Sequence, residues 1–108
     1  MSNHFLGEFE QMVLLSIMRL DNHAYGLGIR GELEAVAGRK PSSGSLYTTL
    51  DRMEKKGLVE SLAGETSPER GGRPRRYVRV TAAGKALLAQ SRSTLMALWD
   101  GLETGLDR

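Results

Sequence analysis

Residues 42–61 read SSGSLYTTLDRMEKKGLVES, and the reading of this run decides the fold. Leu46, Leu50 and Met53 recur at i, i+4 and i+7, with Gly57 just beyond, so the spacing predicts a helix over 43–56 that stops at the glycine. Ser42 or Ser43 caps it, the hydroxyl accepting from a free amide of the first turn. At about 100° per residue, the apolar stripe sets Gly44, Ser45, Thr48, Arg52 and Lys55 on the opposite face. That face opens with small residues and hydroxyls at a helix N-terminus, whose free amides and partial positive charge suit a phosphate. Taken alone, the same pattern also describes a surface helix whose serines only cap and whose threonines are only solvated.

The flanking segments choose between these readings. Residues 6–20, LGEFEQMVLLSIMRL, carry Phe9, Met12, Val13, Leu15, Ile17, Met18 and Leu20, too apolar a set for a one-sided surface helix, so a largely buried first helix is predicted. The turn DNHAYG ends it. A second helix follows from Gly26 to Ala37, with Leu27, Ile29, Leu33, Val36 and Ala37 as its apolar set. Gly28 and Gly31 each cost about 1 kcal/mol against alanine, which is expected to be offset by close helix packing. Gly38 is suited to a left-handed cap, and Pro41 disfavours helix at Lys40. Downstream, LVESLA (58–63) and RRYVRV (75–80) alternate as strands, and the polar GETSPERGGRP between them is too long for a tight turn. The pair is a β-ribbon with an arginine-bearing tip. Thr81 then caps a last helix from Ala82 to Leu106.

Composition sets limits on function. A chain of 108 residues that is 40% hydrophobic suits one globular unit. With no cysteine, disulfides, thiolate zinc sites and cysteine nucleophiles are removed together. The longest apolar run, MVLLSIM, is far too short to span a bilayer, and nothing resembles a signal peptide, so a soluble cytoplasmic protein with no membrane partner is expected. The net charge of +2 conceals an asymmetry: residues 70–79, RGGRPRRYVR, hold five arginines and no acid, whereas the rest of the chain holds ten bases against thirteen acids. One segment makes the protein basic, either as a solvated loop or as a binding element.

The order helix, helix, helix, strand, wing, strand, helix predicts a winged helix-turn-helix: mainly α with a small β-ribbon (α+β), three helices, a two-stranded wing and a C-terminal dimerisation helix. Residues 1–81 would form the DNA-binding domain and 82–108 the dimerisation helix. In a helix-turn-helix the second helix of the motif enters the DNA major groove, its N-terminal residues nearest bases and phosphates. Ser45, Thr48 and Arg52 then face the groove, with Ser42 or Ser43 beside a phosphate.

The runs AYGLGIRGELE (24–34), SSGSLYTTLDRMEKKGLVES (42–61) and ERGGRPRRYVRVTAAGKALLA (69–89) closely resemble PadR-type winged-helix transcriptional regulators. Those share a Tyr-Gly helix start, a GSLY entry to the recognition helix, a GLV strand entry and a basic strand followed by LTxxG. The likeness spans about residues 8–90 and implies a homodimeric regulator, foremost a repressor, that binds double-stranded operator DNA. On this resemblance Tyr47 meets the DNA backbone at the groove edge, Thr48 and Arg52 lie in the groove, and Arg73, Arg75 and Arg76 are wing contacts. Thr49, Lys56 and Arg70 complete the expected contact set. Val78 stands where the family's strand motif has its second tyrosine, and the C-terminal part is brief, so effector-pocket roles are not carried over. A small-molecule effector of unknown identity stays open.

In the last helix Leu88, Leu95, Trp99, Leu102 and Leu106 follow the spacing of a helix-pairing seam, interrupted by Arg92. A subunit interface is favoured over a tryptophan that packs within its own domain. No cofactor, metal or catalytic residue is expected. Gly26-Leu27-Gly28-Ile29-Arg30-Gly31 satisfies GxGxxG, but no strand precedes it and no room remains for repeated βαβ units. His4 and His23 have no acid at ligand spacing and no nucleophile motif nearby. The alternative function is a winged-helix interaction module whose basic wing binds an acidic protein partner.

Overall fold

The computed structural model describes residues 5–66, 74–102, 104 and 105, and only the backbone of 63–66, 74 and 75. Four helices and three strands follow in the order α1 (Glu8–Arg19), β1 (Ala24–Tyr25), α2 (Gly26–Ala37), α3 (Ser43–Lys55), β2 (Val59–Thr66), β3 (Pro74–Val80) and α4 (Ala82–Trp99). The strands form one antiparallel sheet ordered β1-β3-β2. In it Ala24 pairs with Val78, Val59 with Val80 and Leu62 with Tyr77, and the register shifts between Ala63 and Thr66.

The core lies where one face of each helix meets the sheet. Val13, Leu14 and Ile17 of α1 pack with Ile29 and Leu33 of α2, Leu46, Leu50 and Met53 of α3, and Val59, Val78 and Val80 of the strands. The i, i+4, i+7 stripe of α3 is therefore buried as its spacing requires. Ser42 is its cap, accepting from the Ser45 amide at 3.0 Å. Gly38 adopts the left-handed conformation expected of it, at φ +66°. Thr81 caps α4 by accepting from the Gly84 amide at 3.1 Å and donates to the Gly57 carbonyl at 2.6 Å.

Several expectations are corrected. The DNHAYG segment holds a strand, so the sheet has three strands rather than two. β1 is two residues long, too short for a period-2 signal to emerge, and Asn22 extends its pairing by imitating a backbone: its Nδ2 donates to the Val80 carbonyl at 3.2 Å and its Oδ1 accepts from the Val80 amide at 2.8 Å. α1 is not largely buried, since Leu15 and Met18 lie on its exposed side. α4 ends at Trp99, where Asp100 leaves helical geometry at φ −55°, ψ 122°, so Leu102 lies beyond the helix. Gly31 faces open space rather than a helix neighbour, and the close approach falls instead at Gly26 and Gly84.

Candidate nucleic-acid interface

α3 presents three strips of side chain. Its core strip is buried, and Thr49 belongs to that strip, only 4% exposed. This corrects the expectation that Thr49 contacts DNA: three residues from Leu46 and four from Met53, it is in phase with the core. The solvent strip carries Gly44, Ser45 and Thr48, all exposed, together with Lys55. At its N-terminal end the Ser43 hydroxyl accepts from Arg30 Nη1 at 3.1 Å, while Arg30 Nε donates to the Pro41 carbonyl, also at 3.1 Å. Arg30 thus straps the entry of α3 to α2 and places a guanidinium beside the capped end.

The wing side of α3 is held by Arg76. Its guanidinium reaches Asp51 Oδ1 at 3.0 Å and Glu54 Oε1 at 2.9 Å, and its Nε donates to the Ser61 hydroxyl at 3.1 Å. The same guanidinium lies 6.0 Å from the centroid of the Tyr47 ring. Arg76, expected on DNA, here bridges α3 and the wing through Asp51, Glu54 and Ser61. Tyr47 is half exposed and lies against Gly26: a Cβ there would meet the Tyr47 hydroxyl and come within 2.9 Å of Cζ. The Tyr-Gly start of α2 and the GSLY start of α3 are two halves of one contact. Gly84 is required for a like reason, because a Cβ there would run into the Leu58 carbonyl and stand 2.7 Å from Val80 Cγ1.

The other side of α3 faces α1, where Arg52 and Lys56, both expected on DNA, meet Glu10, for which no role is predicted from the sequence. Glu10 is 7% exposed, and its two oxygens divide the work. Oε1 accepts from the Gly7 amide at 2.9 Å, while Oε2 accepts from Arg52 Nε at 3.3 Å and Lys56 Nζ at 3.5 Å. Burial pushes the Glu10 carboxyl up, but the Gly7 amide, Arg52 and Lys56 outweigh it and hold it below the ordinary value. A glutamate three residues after the N-cap supplies the acceptor half of a capping box, the other half being absent because Gly7 has no side chain, so this contact is legible in the sequence. The pairing of Glu10 with residues on another helix is not.

Arg70 and Arg73 lie outside the described residues, as does the side chain of Arg75, and so do His4 and Leu106. Of the expected seam, Leu88 packs against the core, while Leu95, Trp99 and Leu102 are exposed. Leu95, Met96 and Trp99 line an open apolar groove with Leu15 and Met18 of α1, about 470 Å³ in volume. His23 stacks on Tyr77, ring centroids 4.2 Å apart. Among the described residues no group of histidines and acids is placed to hold a metal, and no helix is long and apolar enough to cross a membrane.

A capped helix with a small-residue solvent strip, flanked by the antiparallel β2–β3 pair and strapped to it by Arg76, is the arrangement of a winged-helix protein. The chain belongs to the PadR-like family of transcriptional regulators, whose model matches residues 14–90. It is 38% identical over 78 residues to a transcriptional regulator of Mycobacterium tuberculosis, a match that covers 72% of this chain and 68% of that protein. Among solved structures, a PadR family transcription regulator from Clostridium difficile superposes with a TM-score of 0.73 at 21% identity, covering 93% of this chain and 99% of the other, which supports the fold. A PadR family regulator from Eggerthella lenta is 29% identical with a TM-score of 0.68, covering 92% of this chain and 86% of the other.

Proposed function

We propose that the chain is a homodimeric cytoplasmic repressor that reads a two-fold-related DNA operator, with α3 in the major groove of each half-site and the β2–β3 wing against flanking phosphates. The observation that carries this reading is the solvent strip of α3: Gly44, Ser45 and Thr48 are exposed at a capped helix N-terminus, with no carboxylate among them. The small side chains let the helix backbone approach DNA, and its amides face a phosphate. Residues 1–81 would carry the DNA contacts, and α4 the pairing of subunits. Pairing is supported by the apolar groove between α1 and α4, where Leu15, Met18, Leu95, Met96 and Trp99 are exposed together, with Leu98 and Leu102 exposed beyond it. A two-fold axis then sets two recognition helices about 34 Å apart, one turn of duplex.

Selection of bound fragments from random duplex tests the reading. The expected product is a two-fold-symmetric consensus, bound with an affinity that falls steeply with salt as phosphate counterions are released. No enrichment, or binding indifferent to salt, overturns it. Assembly is tested separately by sedimentation equilibrium. Leu95→Glu places a charge in the apolar groove and should shift the protein toward monomer and weaken operator binding, although every DNA contact remains. A full-length chain that is monomeric at concentrations on the order of tens of micromolar would remove the dimer.

A further inference from the structure

Arg52 and Lys56 are the cations on the α1 side of α3, and both lean on one oxygen of one buried carboxylate. They are themselves 48% and 39% exposed, against 9% for the Glu10 side chain. Their accessible atoms thus face solvent beside the recognition strip, while their counter-charge is sunk in the protein, where salt screens it much less. A carboxylate so buried stays ionised only with donors around it, and the Gly7 amide alone is a single donor. The two cations are therefore not free counter-charges awaiting DNA. A phosphate that recruits either one must compete with Glu10, and the cluster presents a net charge of +1 rather than +2. Lys55, one residue away on the solvent strip, has no ion pair among the described residues and is exposed.

Resting on the DNA-binding reading above, we propose that Glu10 is a specificity-setting residue: an internal counter-anion that restrains Arg52 and Lys56 from the phosphates of random sequence and yields them only where the fit of α3 to an operator brings the DNA backbone close. Non-specific affinity comes almost entirely from cation–phosphate contacts, so a restraint on two of them lowers binding to random duplex more than binding to a fitting site. Glu10 touches no base itself and acts through the two side chains it holds.

Glu10→Gln isolates the charge, because the glutamine keeps the shape and the oxygen that accepts from the Gly7 amide. The variant should bind random duplex about fivefold tighter at low salt, with a log affinity against log salt steeper by about 0.9 for each phosphate gained. Its selected operator should gain less, so the ratio of specific to non-specific affinity falls. A merely structural role for Glu10 would lower both affinities and leave the salt slope alone, and that result overturns the proposal. A second comparison leaves Glu10 untouched. In the otherwise unchanged chain, Lys56→Gln should lose less affinity for random duplex than Lys55→Gln, and relatively more for the operator. Equal losses on random duplex would show that Lys56 is as free as Lys55, and overturn the restraint. If the unaltered protein selects no duplex at all, the DNA-binding reading fails first and this inference with it. Operator binding by the unaltered protein, with an unchanged Glu10→Gln slope, removes the inference alone.

Discussion

The two flanks of α3 are held by ion pairs of opposite polarity and different burial. Toward α1, the helix supplies the cations Arg52 and Lys56 and the neighbour supplies a buried acid, Glu10. Toward the wing, the helix supplies the acids Asp51 and Glu54, 61% and 42% exposed, and the neighbour supplies the cation Arg76. Charges in water are screened within roughly 10 Å at ordinary salt, whereas a buried carboxylate is screened much less. The α1 flank therefore acts as a fixed joint, and the wing flank as an adjustable one. On the proposed DNA-binding reading each is suited to its place: the helix must keep a constant seat in the core, while a wing would gain from following the phosphates of different duplexes.

The largest effect should separate the flanks by stability. Glu10→Ala removes the acceptor of the Gly7 amide, opens a small void and leaves Arg52 and Lys56 to water, a loss of about 2 kcal/mol. For a chain of this size that corresponds to a fall of about 8 °C or more in melting midpoint. Arg76→Ala breaks two pairs whose acids are exposed, although the guanidinium itself is 31% exposed, and should cost about 1 kcal/mol. Thermal unfolding of the two variants side by side checks the contrast, and equal shifts would erase it.

A smaller effect follows from acidity. The Glu10 carboxyl is held below its ordinary value of 4.5 in the folded chain, so its contribution to stability is fully present above that value and is lost as pH falls through the lower folded-state value. Urea unfolding measured from neutral to acid pH should show the stability gap between the protein and Glu10→Gln narrowing only below about pH 4.5. A gap that stays constant into acid would mean that the charge of Glu10 contributes nothing to the joint.

These flanks were unequally legible in the sequence. α3 itself was clear because periodicity, cap and glycine stop all agree within one short run, and local agreement survives tertiary context. Thr49 was misplaced although its phase could be read from Leu46 and Met53, since a threonine in a polar run draws the eye to solvent. The end of α4 was also overrun despite the Asp100-Gly101 pair, because the leucine spacing continues past it. Glu10 was different in kind. It meets Arg52 across 42 residues of chain, a juxtaposition that no period of one helix encodes. The basic neighbours of Arg76 in sequence point it toward DNA, and they do not show its partners on α3 and β2, which come within reach only when β3 is laid in register beside β2. The same folding explains the Tyr-Gly and GSLY motifs, which touch through Gly26 and Tyr47 and read as unrelated along the chain.

The smallest effect tests whether the wing flank is adjustable. Lysine at position 76 keeps the positive charge but loses the planar fork that lets Arg76 reach Asp51, Glu54 and Ser61 together. Arg76→Lys should therefore leave global stability within about 0.5 kcal/mol of the original, because an exposed charge pair is replaced by another. What changes is the orientation of the wing against α3. Amide hydrogen exchange should speed up along the paired segment from Val59 to Leu62 while amides of the α3 core strip, around Leu46 and Leu50, stay as slow as before. High salt should bring about the same change in the unaltered protein, since both act on the screened pairs. If Arg76→Lys instead speeds exchange throughout α3, the wing pairs help to seat the helix in the core, and the division between a fixed and an adjustable flank fails.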